Sequence, residues 1–99
     1  MEEEAIRALS RALFGNAYTL EVANAIARHP KERFIQKDLV KATGIEKALV
    51  APVLKRLKEA GVVAPILEPG KERPLERLPS AFWKGAKELL NEARAQWLT

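Results

Sequence analysis

Between Gln36 and Gly61 the sequence sets two short helical patterns only one tight turn apart, and this spacing restricts the chain most. Leu39, Val40 and Ala42 give Gln36–Thr43 an inward face, and Gly44 supplies a left-handed stop. From Glu46 to Ala60, Val50, Val53, Leu54 and Leu57 form one apolar stripe, which Gly61 ends. Two short helices joined by the tight Thr43-Gly44-Ile45 turn are the helix-turn-helix pattern.

The flanking segments supply the rest of that core. Ala5, Ile6, Leu9, Ala12 and Leu13 predict a helix over residues 3–13, stopped at Gly15-Asn16. A second helix starts with Thr19 as its cap, carries Leu20, Val22, Ala23, Ile26 and Ala27, and stops at His29-Pro30, because a residue before proline avoids the helical region. Phe34-Ile35 is a brief strand. Beyond Gly61 the pattern turns to β: Val62–Leu67, a type II turn at Glu68-Pro69-Gly70-Lys71, and a returning strand over Pro74–Leu78. Prolines 65, 69 and 74 suit edge strands and a bent tip. Ser80 caps a last helix running to about Trp97. The fold class read from this order is mainly α (α+β), a helix-turn-helix with a two-stranded hairpin and flanking terminal helices.

Composition limits function. With 99 residues there is room for one ordinary domain, read as an N-terminal helix (1–15), a core (19–79) and a C-terminal helix (80–99). No apolar run reaches the ~18–20 residues of a membrane span. The acidic start Met1-Glu2-Glu3-Glu4 is unlike a secretory leader, so a cytoplasmic location is expected. There is no cysteine, and His29 is the one histidine, so no thiol chemistry and no multi-histidine metal site is expected. His29 reads as a surface residue at a helix end. No nucleophile–base set and no glycine-rich phosphate loop is present; no cofactor and no enzymatic activity are expected.

The charge points elsewhere. The net +4 is uneven: residues 1–30 carry −1, residues 31–79 carry +4 and residues 80–99 carry +1. A basic centre between near-neutral ends suits a polyanion. On a 100° wheel Val53, Leu54 and Leu57 cluster with Val50, while Ala48, Ala51, Pro52, Lys55 and Glu59 point away. That outward face is small and mostly apolar. Lys47, Lys55 and Arg56 are its sources of donors for base edges, and small side chains admit thymine methyls. Lys37, Lys41, Lys47, Lys55, Arg56, Lys71, Arg73 and Arg77 are the cations placed to meet phosphates, and Gln36 at a helix start offers its amide. Arg77 has an alternative in pairing with Glu76 or Glu68.

The stretch Asp38-Leu39-Val40-Lys41-Ala42-Thr43-Gly44-Ile45, followed by Val50, Leu54, Leu57, Glu59, Ala60, Gly61, Val62 and Val63, resembles the central motif of bacterial winged helix-turn-helix transcriptional regulators of the ArsR and MarR groups. Leu49–Leu57, with Pro52, is also similar to the recognition helix of PadR-like regulators. The resemblance covers about residues 19–79. It implies that helix 46–60 enters a DNA major groove, that wing 62–78 meets the flanking backbone, and that the terminal helices make a homodimer on double-stranded DNA. The Cys or His ligands of metal-sensing ArsR members are missing here, and the first helix differs from that of PadR-like proteins. The dimer residues so expected are Ile6, Leu9, Leu13, Phe82, Trp83, Ala86, Leu89, Leu90, Ala93 and Trp97. The alternative to this dimer is that the stripe on 82–97 packs on residues 5–13 of its own chain. The alternative function is a winged-helix module that docks a protein through residues 48–52.

Overall fold

A computed structural model describes residues 2–70 and 73–97. Its elements run α1 (Glu2–Phe14), α2 (Thr19–Arg28), β1 (Arg33–Phe34), α3 (Gln36–Thr43), α4 (Lys47–Glu59), β2 (Val63–Pro65), β3 (Leu75–Arg77) and α5 (Ala81–Trp97). The expected helices are all present, within a residue or two at their ends.

The main core forms where α2, α3 and α4 converge on the sheet. Val22, Ile26, Phe34, Leu39, Val50, Val53, Leu57 and Val63 are buried together, as their periodicity requires. Each such side chain withdrawn from water contributes roughly 1.5–3 kcal/mol. The stripe on α4 therefore fixes which side of that helix is left for solvent.

The sheet corrects one expectation. The brief strand expected at Phe34-Ile35 is Arg33–Phe34, and it joins the two strands of the hairpin in the order β1-β3-β2, antiparallel throughout. Arg33 pairs with Glu76 and Phe34 with Leu75, while Val63, Ala64 and Pro65 face Arg77, Glu76 and Leu75. Ile35 leaves the strand and becomes the extended residue before α3. Phe34 drives this pairing: its ring enters the core, and its backbone then lies within reach of β3.

A second correction concerns the start of α2. Thr19 does not cap it; the residue before the helix is Tyr18, and the Thr19 hydroxyl is buried without a hydrogen-bond partner. The capping acceptor comes from another helix. The Ser10 hydroxyl of α1 donates to the Asn16 carbonyl at 2.7 Å and accepts from the Leu20 amide at 3.0 Å. One of the orphan amides of α2 is thus satisfied by α1, and the Asn16 side chain accepts from Tyr18 N at 2.8 Å to close the loop between them.

α1 and α5 lie over α2. Ile6, Leu20, Leu90 and Ala93 form a satellite cluster, with Leu9, Phe14 and Leu89 packed on its edge. The Arg7 guanidinium meets Glu21 at 2.9 Å and sits over the Tyr18 ring; the hydrogen bond to that carboxylate is the main reason its pKa is raised. Ser80 caps α5 as expected, accepting from the Phe82 amide at 3.1 Å. Trp83 and Ala86 of α5 reach the main core, where the Trp83 indole donates to the Leu78 carbonyl at 2.8 Å. Among the described residues no helix is long and apolar enough to cross a membrane.

Candidate nucleic-acid interface

The turn between α3 and α4 is built by its own side chains. The Thr43 hydroxyl donates to the Leu39 carbonyl at 2.7 Å and accepts from Ile45 N at 3.1 Å. Gly44 sits at φ 73°, and its amide returns to the Val40 carbonyl at 2.8 Å. A Cβ there costs about 1–2 kcal/mol in left-handed backbone. Buried Ile45 pins the turn to the core. At the other end of α3, Asp38 accepts from the Ile35 amide at 3.0 Å, and its carboxylate lies 3.5 Å from His29 Nε2. His29 is therefore half-buried and tied to the start of α3, a role its sequence position does not announce.

This scaffold leaves the outer side of α4 open. Ala48, Ala51, Pro52 and Lys55 are exposed, as expected, and Leu49 is 37% exposed. Pro52 has no amide to donate to the Ala48 carbonyl, so the helix lacks that bond. Lys37, Lys41, Lys47 and Lys55 are exposed around this surface. Among the described residues none of them is in an ion pair, whereas Arg7, Arg33, Lys84 and Arg94 elsewhere each meet a glutamate. An unpaired cation keeps its full attraction for an outside anion.

Three expected contact residues are placed differently. Gln36 turns its side-chain amide to the Lys47 carbonyl at 3.2 Å, which joins the start of α3 to the start of α4. Arg56 sends Nη1 to the Phe14 carbonyl at 3.0 Å, at the last turn of α1. Among the described residues Arg77 forms no ion pair with Glu76 or Glu68. Its Nη1 donates to the carbonyls of Ile26, His29 and Ala27 at 2.6, 3.1 and 3.3 Å, closing the C-terminal end of α2. The reason is electrostatic: the carbonyls at the C-terminal end of a helix carry partial negative charge and attract a cation, and β3 delivers one there. Nothing in the sequence signals it, because 48 to 51 residues separate donor from acceptors.

On the hairpin, Arg73 is exposed and Lys71 lies outside the described residues. Leu67 is 96% exposed, and Glu68 pairs with Arg33 at 2.5 Å, fastening the hairpin to β1.

The expected dimer set divides. Ile6, Trp83, Ala86, Leu90 and Ala93 are buried inside the single chain, which leaves them no surface to offer a second copy in this conformation. The physical reason is that α5 lies on α2 and α1, the second of the two packings its stripe allows. Leu13 remains 54% exposed, and Leu9, Phe82 and Leu89 are half-buried. Phe14, Phe82, Gly85 and Leu89, with Glu88 and Glu92, line an open groove of about 360 Å³ between the end of α1 and α5. The Trp97 side chain lies outside what is described.

Crossed helices α3 and α4, with a β-hairpin beside them, define a winged helix-turn-helix fold. Solved structures of transcription regulators share it. BpsR of Bordetella bronchiseptica, whose DNA binding is regulated by 6-hydroxynicotinic acid, superposes with a TM-score of 0.62 at 23% identity over 82% of this chain and 60% of its own. Reduced MarR of E. coli gives a TM-score of 0.66 at 14% identity over 96% of this chain and 68% of its own. A cysteine-to-serine mutant of E. coli MarR, complexed with operator DNA, gives 0.62 at 15% identity over 98% and 68%. The chain thus spans about three-fifths of the length of BpsR and about two-thirds of MarR. No protein-family model and no curated protein matches the sequence.

Proposed function

We propose that this chain is a MarR-like DNA-binding transcriptional regulator of the cytoplasm. In this reading residues 1–99 are a single winged-helix unit: 1–15 and 80–99 are its flanking helices and 19–79 its core. α4 lies in the major groove, with Lys47 and Lys55 at its margins. Lys37 and Lys41 of α3 meet phosphates, and Lys71 and Arg73 of the wing hold the flanking backbone. The chain works as a homodimer with two half-sites about one DNA turn apart. The observation that carries the reading is the set of exposed lysines on α3 and α4, without ion pairs among the described residues, on a fold whose neighbours include a regulator complexed with operator DNA.

Binding to duplex DNA measured across a salt series tests it. Each phosphate contact lowers the log–log slope by about 0.9, so a steep fall with salt is expected. Lys55→Glu and Arg73→Glu remove the binding and leave the fold intact. Selection from a random duplex pool returns a palindrome. Flat, salt-independent absence of binding instead favours the second reading, a winged-helix module docking a protein. The exposed apolar run of Ala48, Leu49, Ala51 and Pro52 supports that reading.

A further inference from the structure

The side of α4 turned to solvent is short of donors, and the structure makes it shorter than the sequence suggests. Ala48, Leu49, Ala51 and Pro52 present only methyl and methylene groups there. The flexible or forked donors that border this face are committed inside the chain. The Gln36 amide is on the Lys47 carbonyl, the Thr43 hydroxyl on the Leu39 carbonyl, and one arm of the Arg56 fork on the Phe14 carbonyl.

What is left at the edges of an apolar patch is Lys47, Lys55 and the nitrogens of Arg56 that the Phe14 carbonyl does not take. Guanine is read by Arg or Lys on O6 and N7, adenine by an Asn or Gln amide, and cytosine by an acceptor. The patch itself, Ala48, Leu49, Ala51 and Pro52, offers none of these. The one base-edge feature in the major groove that an apolar surface recognises is a pyrimidine C5-methyl.

Building on the DNA-binding reading above, we infer that α4 selects its sites by closing this patch on thymine 5-methyl groups, while the surrounding lysines hold phosphates without regard to sequence. The preferred duplexes carry T·A pairs where Ala48, Ala51 and Pro52 lie. Specificity is then modest per base pair and comes from van der Waals fit and water excluded from methyl groups. The close approach that this needs is available, because no side chain on the patch is longer than leucine.

The test uses the whole chain and duplexes from the selected pool, synthesised with thymine or with deoxyuridine, which differ only by the methyl. Each methyl lost from the α4 contact weakens binding about four-fold, the value of one buried methyl group. The salt slope stays the same, because the phosphates are untouched. Lys55→Gln weakens both duplexes equally and preserves their ratio. Ala51→Ser and Ala48→Ser, at exposed sites that leave the fold intact, bring the ratio toward one.

Equal affinity for the thymine and deoxyuridine duplexes, with salt-dependent binding intact, overturns the methyl readout and leaves DNA binding standing. A ratio unmoved by both serine variants places the methyl contact off α4 and overturns the assignment as well. Failure to bind any duplex at low salt overturns the functional reading and this inference together.

Discussion

At the residue scale, the side chains that hold the scaffold together are polar ones with distant partners. Arg77 spends its guanidinium on three carbonyls of α2 and so joins the hairpin to the helix beneath it. Arg77→Gln is expected to destabilise the chain by about 1.5–3 kcal/mol, the usual range for hydrogen bonds to a charged group. The salt slope of DNA binding should not change, because Arg77 is not on the α4 face; thermal unfolding together with a binding titration measures both. Thr19 is the opposite case. Its hydroxyl is buried with no partner, so it carries a desolvation cost with no return. Thr19→Val keeps the shape and removes that atom, and the melting temperature should rise by a few degrees. A fall would mean that the hydroxyl finds a partner in solution. Ser10 and Thr19 sit near each other in the fold, yet it is Ser10, nine positions earlier in the sequence, that caps α2.

At the element scale, α4 combines a well-buried stripe with a proline that no stability argument requires. Pro52 removes one bond from the ladder of a 13-residue helix. Pro52→Ala should stabilise the chain by about 1–3 kcal/mol, by restoring that bond and the helix propensity of the position. Chemical denaturation reads the gain. If binding weakens while stability rises, the pyrrolidine ring is part of the reading surface, as expected of a patch that closes on methyl groups. The hairpin gives a different lesson. Its two strands follow from the β-rich run after Gly61, but β1 joins them only because Phe34 is drawn inward and its backbone meets β3. A two-residue strand has no periodicity of its own to declare a partner.

At the scale of the whole molecule, the groove between α1 and α5 is where the proposed homodimer would seat its second copy. Its lining includes Phe14, Phe82 and Leu89, which the chain's own core does not fully cover, and exposed Leu13 precedes Phe14 at the end of α1. Leu13→Glu puts a charge on a residue that is 54% exposed, so the subunit fold should survive while a dimer built on this groove dissociates. Sedimentation equilibrium is the measurement. A variant that sediments like the parent chain would locate the self-association elsewhere. Arg56 adds a link between this region and α4, since its guanidinium joins α4 to the last turn of α1.

The sequence by itself settled the helices, the turn at Gly44 and the outward face of α4. All of these are local: the 3.6-residue repeat of Val50, Val53, Leu54 and Leu57 states which side is buried, and Gly44 states where the chain must turn. Only the tertiary structure decided which polar groups are free. Gln36, Arg56 and Arg77 look like phosphate ligands in a list of basic and polar residues, yet each is committed to a backbone carbonyl 11 to 51 residues away. The same holds for α5, whose single stripe is compatible with either of two packings until α2 is placed beneath it. Periodicity is a property of neighbours along the chain, whereas a hydrogen bond across the fold depends on where two distant segments come to rest.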